Sequence, residues 1–130
     1  MKLKNELFTL TDAQLQEGSG RAVARLNASS FIYGAHFPGQ PITPGVCILQ
    51  MGVELLGELL GSRLEVASVK NIKFLSVISP RDTETVVYDY KKIDRSADGR
   101  EVKTQMVVTD LASGEVKAKI SIVCEQHGTE

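Results

Sequence analysis

The sequence predicts an α+β fold in which a curved antiparallel sheet wraps around one long central helix. Three observations carry that prediction. The stretch from Gly45 to Leu60 repeats its apolar residues at helical spacing and is apolar around most of its circumference. On either side of it lie segments that alternate apolar and polar residues, the period of strands. A lone helix that apolar can be covered on its inner side only by a sheet that curls around it.

The elements follow in order. "LFTLTDAQLQ" and "RAVARLN" flank the Gly-containing "EGSG" and read as a hairpin. Phe31 to Thr43 reads as a loop, because Gly34, Pro38, Gly39 and Pro41 suit neither ladder nor helix. Thr43 is then an N-cap residue with Pro44 at the first helical position, where a missing N–H costs nothing. Val46, Leu49, Val53, Leu56 and Leu60 recur at three and four, and Ile48, Leu55 and Leu59 widen the stripe. Gly61 supplies the stop. "LEVASVKNIKFL", "TETVVYDYKKI", "EVKTQMVVTDL" and "EVKAKISIVCE" then alternate, separated by "ISPRD", "DRSADG" and "ASG", and read as four strands in a meander.

Composition bounds the function. At 130 residues, 42% apolar and 24% charged, the chain reads as a single domain over 1–130 with a real core. A net charge of -1 gives no global field to attract nucleic acid. No apolar run approaches the ~18 residues of a membrane span, and "MKLKNELFTLTD" lacks the apolar core of a secretory signal, so no membrane association and a cytoplasmic location follow as expectations. Cys47 and Cys124 stand in apolar contexts without C-x-x-C or His/Cys clustering and read as buried free thiols, with neither a disulfide nor a metal site.

Chemistry concentrates around one of the two histidines. His127 lies in a polar tail and reads as solvated; His36 lies in the proline-stiffened loop just before a helix N-terminus. Free N–H groups and the positive end of a helix dipole favour an oxyanion there, and Gly45 lets a substrate come close to its own N–H. The competing reading is a packed connection whose glycines and prolines merely shape a turn. Tyr33, three residues before His36, either lines the pocket mouth or packs against the loop. Cys47, Met51 and Leu55 border an apolar tunnel on one reading and fill the core on the other. Lys70, Lys73 and Arg81 either steer an acidic partner or form a solvated face.

His36, Phe37, Pro38, Gly39, Pro41, Pro44, Gly45 and Val46 spell H-F-P-G-x-P-x-x-P-G-V. This resembles the signature of the 3-hydroxyacyl-acyl carrier protein dehydratases of bacterial fatty acid synthesis, which have the hotdog fold. "NIKFLSVISPRDT" is similar to a strand and turn of that family, with Arg81 where glycine is usual. The resemblance implies a homodimer, or a higher homo-oligomer, with active sites at the subunit interface. In it the His36 imidazole removes the α-proton of a thioester on acyl carrier protein or coenzyme A. The N–H of Gly45 holds the thioester carbonyl, Phe37 and Val46 belong to the substrate-binding loop, and an acid on the partner's helix protonates the departing hydroxyl. No metal or organic cofactor is implied, the product is a trans-2-enoyl thioester, and the Phe37–Pro38 peptide is a candidate for the cis form.

One position departs from that pattern. Gln50 stands where the family carries its helix Glu or Asp, and a neutral amide can hydrogen-bond but cannot give up a proton at neutral pH. Glu54 is the nearest carboxylate, displaced by about 40° and about 6 Å along the helix. With Glu58 it also reads as a narrow polar edge, solvated or paired across a dimer seam. Without an acid, His36 alone has to shuttle the proton, and loss of a general acid typically removes ~10² to 10⁴ in rate. Three functions compete: a dehydratase-like lyase with His36 as base and Gln50 or Glu54 as imperfect partner; a pseudo-dehydratase subunit that binds acyl thioesters and pairs as a heterodimer with an active homologue; and a hotdog thioesterase, which needs a side chain placed to activate water.

Overall fold

The structure, a computed structural model, describes residues 2–36 and 39–127, with the backbone alone described at His36. Its elements are β1 (Phe8–Gln16), β2 (Ser19–Leu26), α1 (Phe31–His36), α2 (Gly45–Leu60), β3 (Leu64–Phe74), β4 (Thr85–Arg95), β5 (Glu101–Asp110) and β6 (Val116–Gln126). All strands belong to one antiparallel sheet in the order β1-β2-β4-β5-β6-β3, packed on α2. This is the hotdog architecture.

The helix sits close to the sheet because its facing residues allow it. A Cβ at Gly52 would lie 2.4 Å from Met106 Sδ and 3.0 Å from Tyr88 Cε2, so only glycine lets β4 and β5 approach this closely. Two buried tyrosines of β4 exploit that approach: Tyr88 donates its hydroxyl to the Ile48 carbonyl (2.7 Å) and Tyr90 to the Gly52 carbonyl (2.6 Å). Their rings stack at 6.3 Å. Met51, Leu55 and Leu56 are sealed beneath the sheet, each stabilising by roughly 1.5–3 kcal/mol through burial. Gly61 ends the helix in the left-handed region at φ 66°, its N–H on the Gly57 carbonyl. Among the described residues, no helix is long and apolar enough to cross a membrane.

Three local expectations are corrected. The last four strands do not form a meander: β4, β5 and β6 do, but β3 lies at the far edge beside β6. The linking segments explain this, since 96–100 and 111–115 are short enough for hairpins while 75–84 is a long crossing that returns the chain to β2. Phe31 to His36, read as loop, is the short helix α1, which carries Gly34 within it, and Ser30 Oγ accepts from the N–H of Ile32 (3.3 Å) at its start. The cap of α2 is Pro44, in extended conformation, and Gly45 is its first helical residue. Thr43 is unavailable as a cap because its hydroxyl bonds Tyr33 Oη (2.9 Å) and its N–H bonds the Ile78 carbonyl (2.8 Å).

Candidate active site

The predicted residues stand on three pieces of chain: the end of α1, the segment up to Pro44, and the first turns of α2. His36 closes α1, and its side chain, with Phe37, Pro38 and the peptide between them, lies outside the described residues. The link that follows is tied through Thr43 to α1 and to Ile78 of the 75–84 crossing, and its Tyr33 partner is itself only 5% exposed. Burial pushes the Tyr33 hydroxyl up from the ordinary phenol range, only partly offset by the bond to Thr43. In this chain Tyr33 therefore packs under the link and braces it.

The start of α2 is bare of side-chain caps. The Pro44 carbonyl accepts from the N–H groups of Cys47 (2.9 Å) and Ile48 (3.1 Å), and among the described residues no side-chain cap bond is made at this end. The N–H groups of that turn thus carry the positive end of a sixteen-residue helix toward whatever binds beside them. A residue that sequence reasoning missed covers this spot: a Cβ at Gly45 would come 2.7 Å from Phe74 Cζ, so the ring of Phe74 lies against the glycine backbone. Val46, next in the chain, is 61% exposed, and Phe74 at the end of β3 is half exposed. Apolar surface therefore borders the helix start. Cys47, Met51 and Leu55 are buried in the core.

Support for the link comes from the strand behind it. Lys117 is buried on β6, where its ammonium donates to Glu115 Oε1 (2.5 Å), the Val77 carbonyl (3.0 Å) and Ser76 Oγ (3.3 Å). Backbone bonds from Leu75 and Ser76 to the Lys117 carbonyl complete the anchor. Ile78, which receives Thr43, is thereby held in place. The Lys117 hydrogen bond, then its charge, then Ser76 hold the Glu115 carboxyl below the usual carboxylate range.

On α2, Gln50 and Glu54 stand one turn apart and touch: Gln50 Nε2 donates to Glu54 Oε2 (2.9 Å). The Glu54 carboxylate also accepts from the backbone N–H of Leu3 (2.8 and 3.0 Å to its two oxygens) and of Lys4 (2.8 Å). Glu58 pairs with the Lys4 ammonium. The polar edge of the helix is therefore a clasp for the N-terminal segment, a role the sequence did not disclose. Gln50 and Glu54 line a depression of about 360 Å³ with Arg63, Leu64, Glu65 and Val66. Gln40, Pro41 and Ile42 of the link open on a separate one of about 500 Å³, with Arg81 and Lys117.

The remaining expectations divide. Cys47 and Cys124 are buried free thiols; burial raises both, Cys124 to about 12, so neither is a nucleophile at neutral pH. Among the described residues no three His, Cys, Asp or Glu side chains converge as a metal ion requires. His127 is not simply solvated: its N–H extends the sheet edge to the Arg63 carbonyl (2.8 Å), and its Nε2 stands 3.6 Å from the carboxylates of both Glu65 and Glu125. Those two acids are direct cross-strand partners, which sets the imidazole between them.

Comparison with known proteins adds the family. The ApeI-like family model, described as ApeI dehydratase, matches residues 12–112. The chain is 33% identical over 85 residues to the 3-hydroxyacyl-[acyl-carrier-protein] dehydratase FabZ of Fusobacterium nucleatum subsp. nucleatum, covering 62% of this chain and 57% of that one. It is 32% identical over 93 residues to the FabZ of Latilactobacillus sakei subsp. sakei, covering 64% and 66%. The matches thus span less than two thirds of the length of these relatives. Among solved structures, the dehydratase heterocomplex ApeI:P from Xenorhabdus doucetiae superposes with a TM-score of 0.67 at 14% identity, covering 91% of this chain and 97% of that one. The smu.793 protein of Streptococcus mutans UA159, bound to acetyl CoA, superposes with a TM-score of 0.63 at 14% identity, covering 98% and 94%. At such identities the two structures speak for the fold.

Proposed function

This chain belongs to the ApeI-like dehydratase family, and on that premise we propose that it is a lyase dehydrating 3-hydroxyacyl thioesters to trans-2-enoyl thioesters in the cytoplasm, in fatty acid or related lipid or polyene synthesis. The acyl group is carried on acyl carrier protein or coenzyme A. The observation that carries the reading is the start of α2, where no side-chain cap bond is made among the described residues, joined by the eight residues 37–44, braced at Thr43, to the segment holding His36.

The chemistry follows from what each group can do. His36 takes the α-proton of the thioester, and the negative charge that develops on the carbonyl oxygen is held by the N–H of Gly45 and the helix dipole. The C3–O bond then breaks and the hydroxyl leaves with a proton as water. Gln50 has no proton to give, so the one taken by His36 is returned to the leaving group. Phe74 and Val46 shelter the thioester from solvent.

A second copy completes the site in this proposal. β3 is one of the two outer strands of the sheet, and Val69, Phe74, Leu75 and Val77 expose apolar surface along and just beyond it. The link and Gln50 open on separate depressions of one chain, as expected where His36 of one subunit meets Gln50 of another. A homodimer, or a higher homo-oligomer of dimers, is the assembly proposed. Gln50 favours one alternative: a heterodimer in which a homologue supplies the missing acid and this chain supplies His36 or only the binding surface.

The test is turnover of 3-hydroxyacyl and trans-2-enoyl thioesters, on carrier protein and on coenzyme A, followed by enoyl absorbance and product mass. The expected result is slow reversible dehydration that disappears in His36→Ala without loss of melting temperature and rises in Gln50→Glu. Thioester binding without turnover in either direction would overturn the lyase and leave the heterodimer subunit.

A further inference from the structure

Two bulges interrupt the sheet at the same level, and each inserts a lysine. On β4, Lys91 pairs with Gln105 and Asp94 with Lys103, so Lys92 and Ile93 together stand opposite the single residue Thr104 of β5. On β3, Val69 pairs with Ile122 and Asn71 with Ser121, which leaves Lys70 without a register partner on β6. Thr104 and Ile122 are themselves cross-strand partners, so Lys92 and Lys70 stand at the two ends of one row. The bulge on β4 is fastened by its neighbours: Thr104 Oγ1 donates to the Lys91 carbonyl (2.9 Å) and the Ile93 N–H to the Gly18 carbonyl (3.0 Å). It also carries strain. Lys92 sits in the left-handed region at φ 51°, which glycine or asparagine occupies at less cost. A bulge that only curved the sheet has no need of a lysine there.

Between the two bulges lies a depression of about 490 Å³, lined by Lys70, Lys92 and Lys103 with Asn71, Gln105 and Ser121. It opens on the outer face of the sheet: Lys103 and Gln105 alternate along β5 with Val102, Thr104 and Met106, and Met106 is the residue that meets Gly52 of α2. Among the described residues, Asp94 is the one carboxylate on the lining, and none of the three ammonium groups is in an ion pair. We propose that this depression binds a small polyanion, a ligand bearing a phosphate or diphosphate group, at a site separate from the start of α2. Three lysines from three strands supply the positive charge, and the amides of Asn71 and Gln105 and the Ser121 hydroxyl supply uncharged donors. The volume is that of a nucleotide-sized site. Strain at Lys92 is then the consequence of bringing a third ammonium to the same depression.

The test titrates the full chain with inorganic pyrophosphate, ADP and coenzyme A while backbone amide shifts are followed. The expected result is one saturable site with its largest shifts around Thr104 and Ile122. Because the lysines are exposed, affinity should fall several-fold between about 0.05 and 0.5 M salt. Lys92→Gly keeps the left-handed backbone without strain and removes the ammonium, so it should weaken binding roughly two- to fivefold with the melting temperature nearly unchanged, and Lys103→Gln should do the same. Lys119→Gln, on the same face but outside the depression, should leave the affinity nearly unchanged. Equal binding of the three probes assigns recognition to the diphosphate alone, and tighter binding of ADP or of coenzyme A names its source; each sustains the site. Absence of saturable binding by all three, or an equal loss of affinity in Lys119→Gln and Lys92→Gly, would overturn the proposal. So would binding of acyl carrier protein that depends on Lys92 and Lys103 when none of the three probes binds. Thioester turnover in the same variants should not change, which separates this outcome from that of the lyase reading.

Discussion

The two faces of α2 are held by different physics. The face turned to the sheet is held by volume: Met51, Leu55 and Leu56 fill it, Gly52 brings it close, and Tyr88 and Tyr90 fasten helix carbonyls to β4. The edge that carries Gln50, Glu54 and Glu58 is held by directional bonds to the backbone of Leu3 and Lys4 and to the Lys4 ammonium. Packing tolerates exchange between apolar residues of like volume, whereas the polar edge depends on single atoms. Selection can therefore retune one edge of the helix while the other fixes its position.

The contrast can be broken first on the packed face. Leu55→Ala removes a fully buried side chain from beneath the sheet and should cost roughly 2–5 kcal/mol, the largest effect expected here, read as a fall in denaturant midpoint with an unchanged slope. Gly52→Ala drives a methyl into Met106 and should cost about 1–3 kcal/mol; combined with Met106→Ala the loss should be smaller than the sum of the two single losses, and full additivity would mean the helix does not sit as close as described.

On the polar edge, Glu54→Ala leaves two backbone N–H groups without their acceptor. About 1–3 kcal/mol is at stake, concentrated locally, so hydrogen exchange should speed at Leu3 and Lys4 while the amides of β5 stay protected. Uniform acceleration across the sheet would erase the distinction between the two faces. The smallest effect concerns the brace behind the link. Glu115 is held below the usual carboxylate range in the folded chain, so its pairing with Lys117 is fully present above that range and is lost as pH falls through the lowered folded value. Melting temperature should drop slightly more with acid in the native chain than in Glu115→Gln.

Much of the packed face was legible in the sequence. The three-and-four spacing from Leu49 to Leu60, the stop at Gly61, the first hairpin and the burial of both cysteines all follow from local periodicity, which burial itself imposes, whereas Val46, read into the same stripe, is exposed at the helix start. The neighbour of β3 was not legible, because strand alternation says which side faces the core and nothing about which distant strand lies alongside. The cap of α2 slipped by one residue because Thr43 was claimed by Tyr33 and Ile78, partners set by the tertiary fold. Glu54 read as the nearest carboxylate to Gln50 or as part of a polar edge, and its hold on the N-terminal segment was not legible, because its donors there are main-chain N–H groups some fifty residues away and a backbone donor has no identity in a sequence. The motif around His36 named a candidate base, and Gln50 marked the departure from it; Phe74 over Gly45 carried no signal at all.

The placement of β3 has a consequence in time. Its strand partner, β6, is the last of the sheet in chain order, beginning at Val116 while β3 begins at Leu64. At ribosomal rates of about 5–20 residues per second, roughly three to ten seconds pass between the emergence of the two. Throughout that interval both edges of an eleven-residue strand, with Phe74 at its end, are open to any other nascent chain. For this protein the hazard of mispairing is greatest during synthesis, and it falls on the strand whose remaining edge is proposed to meet a second subunit.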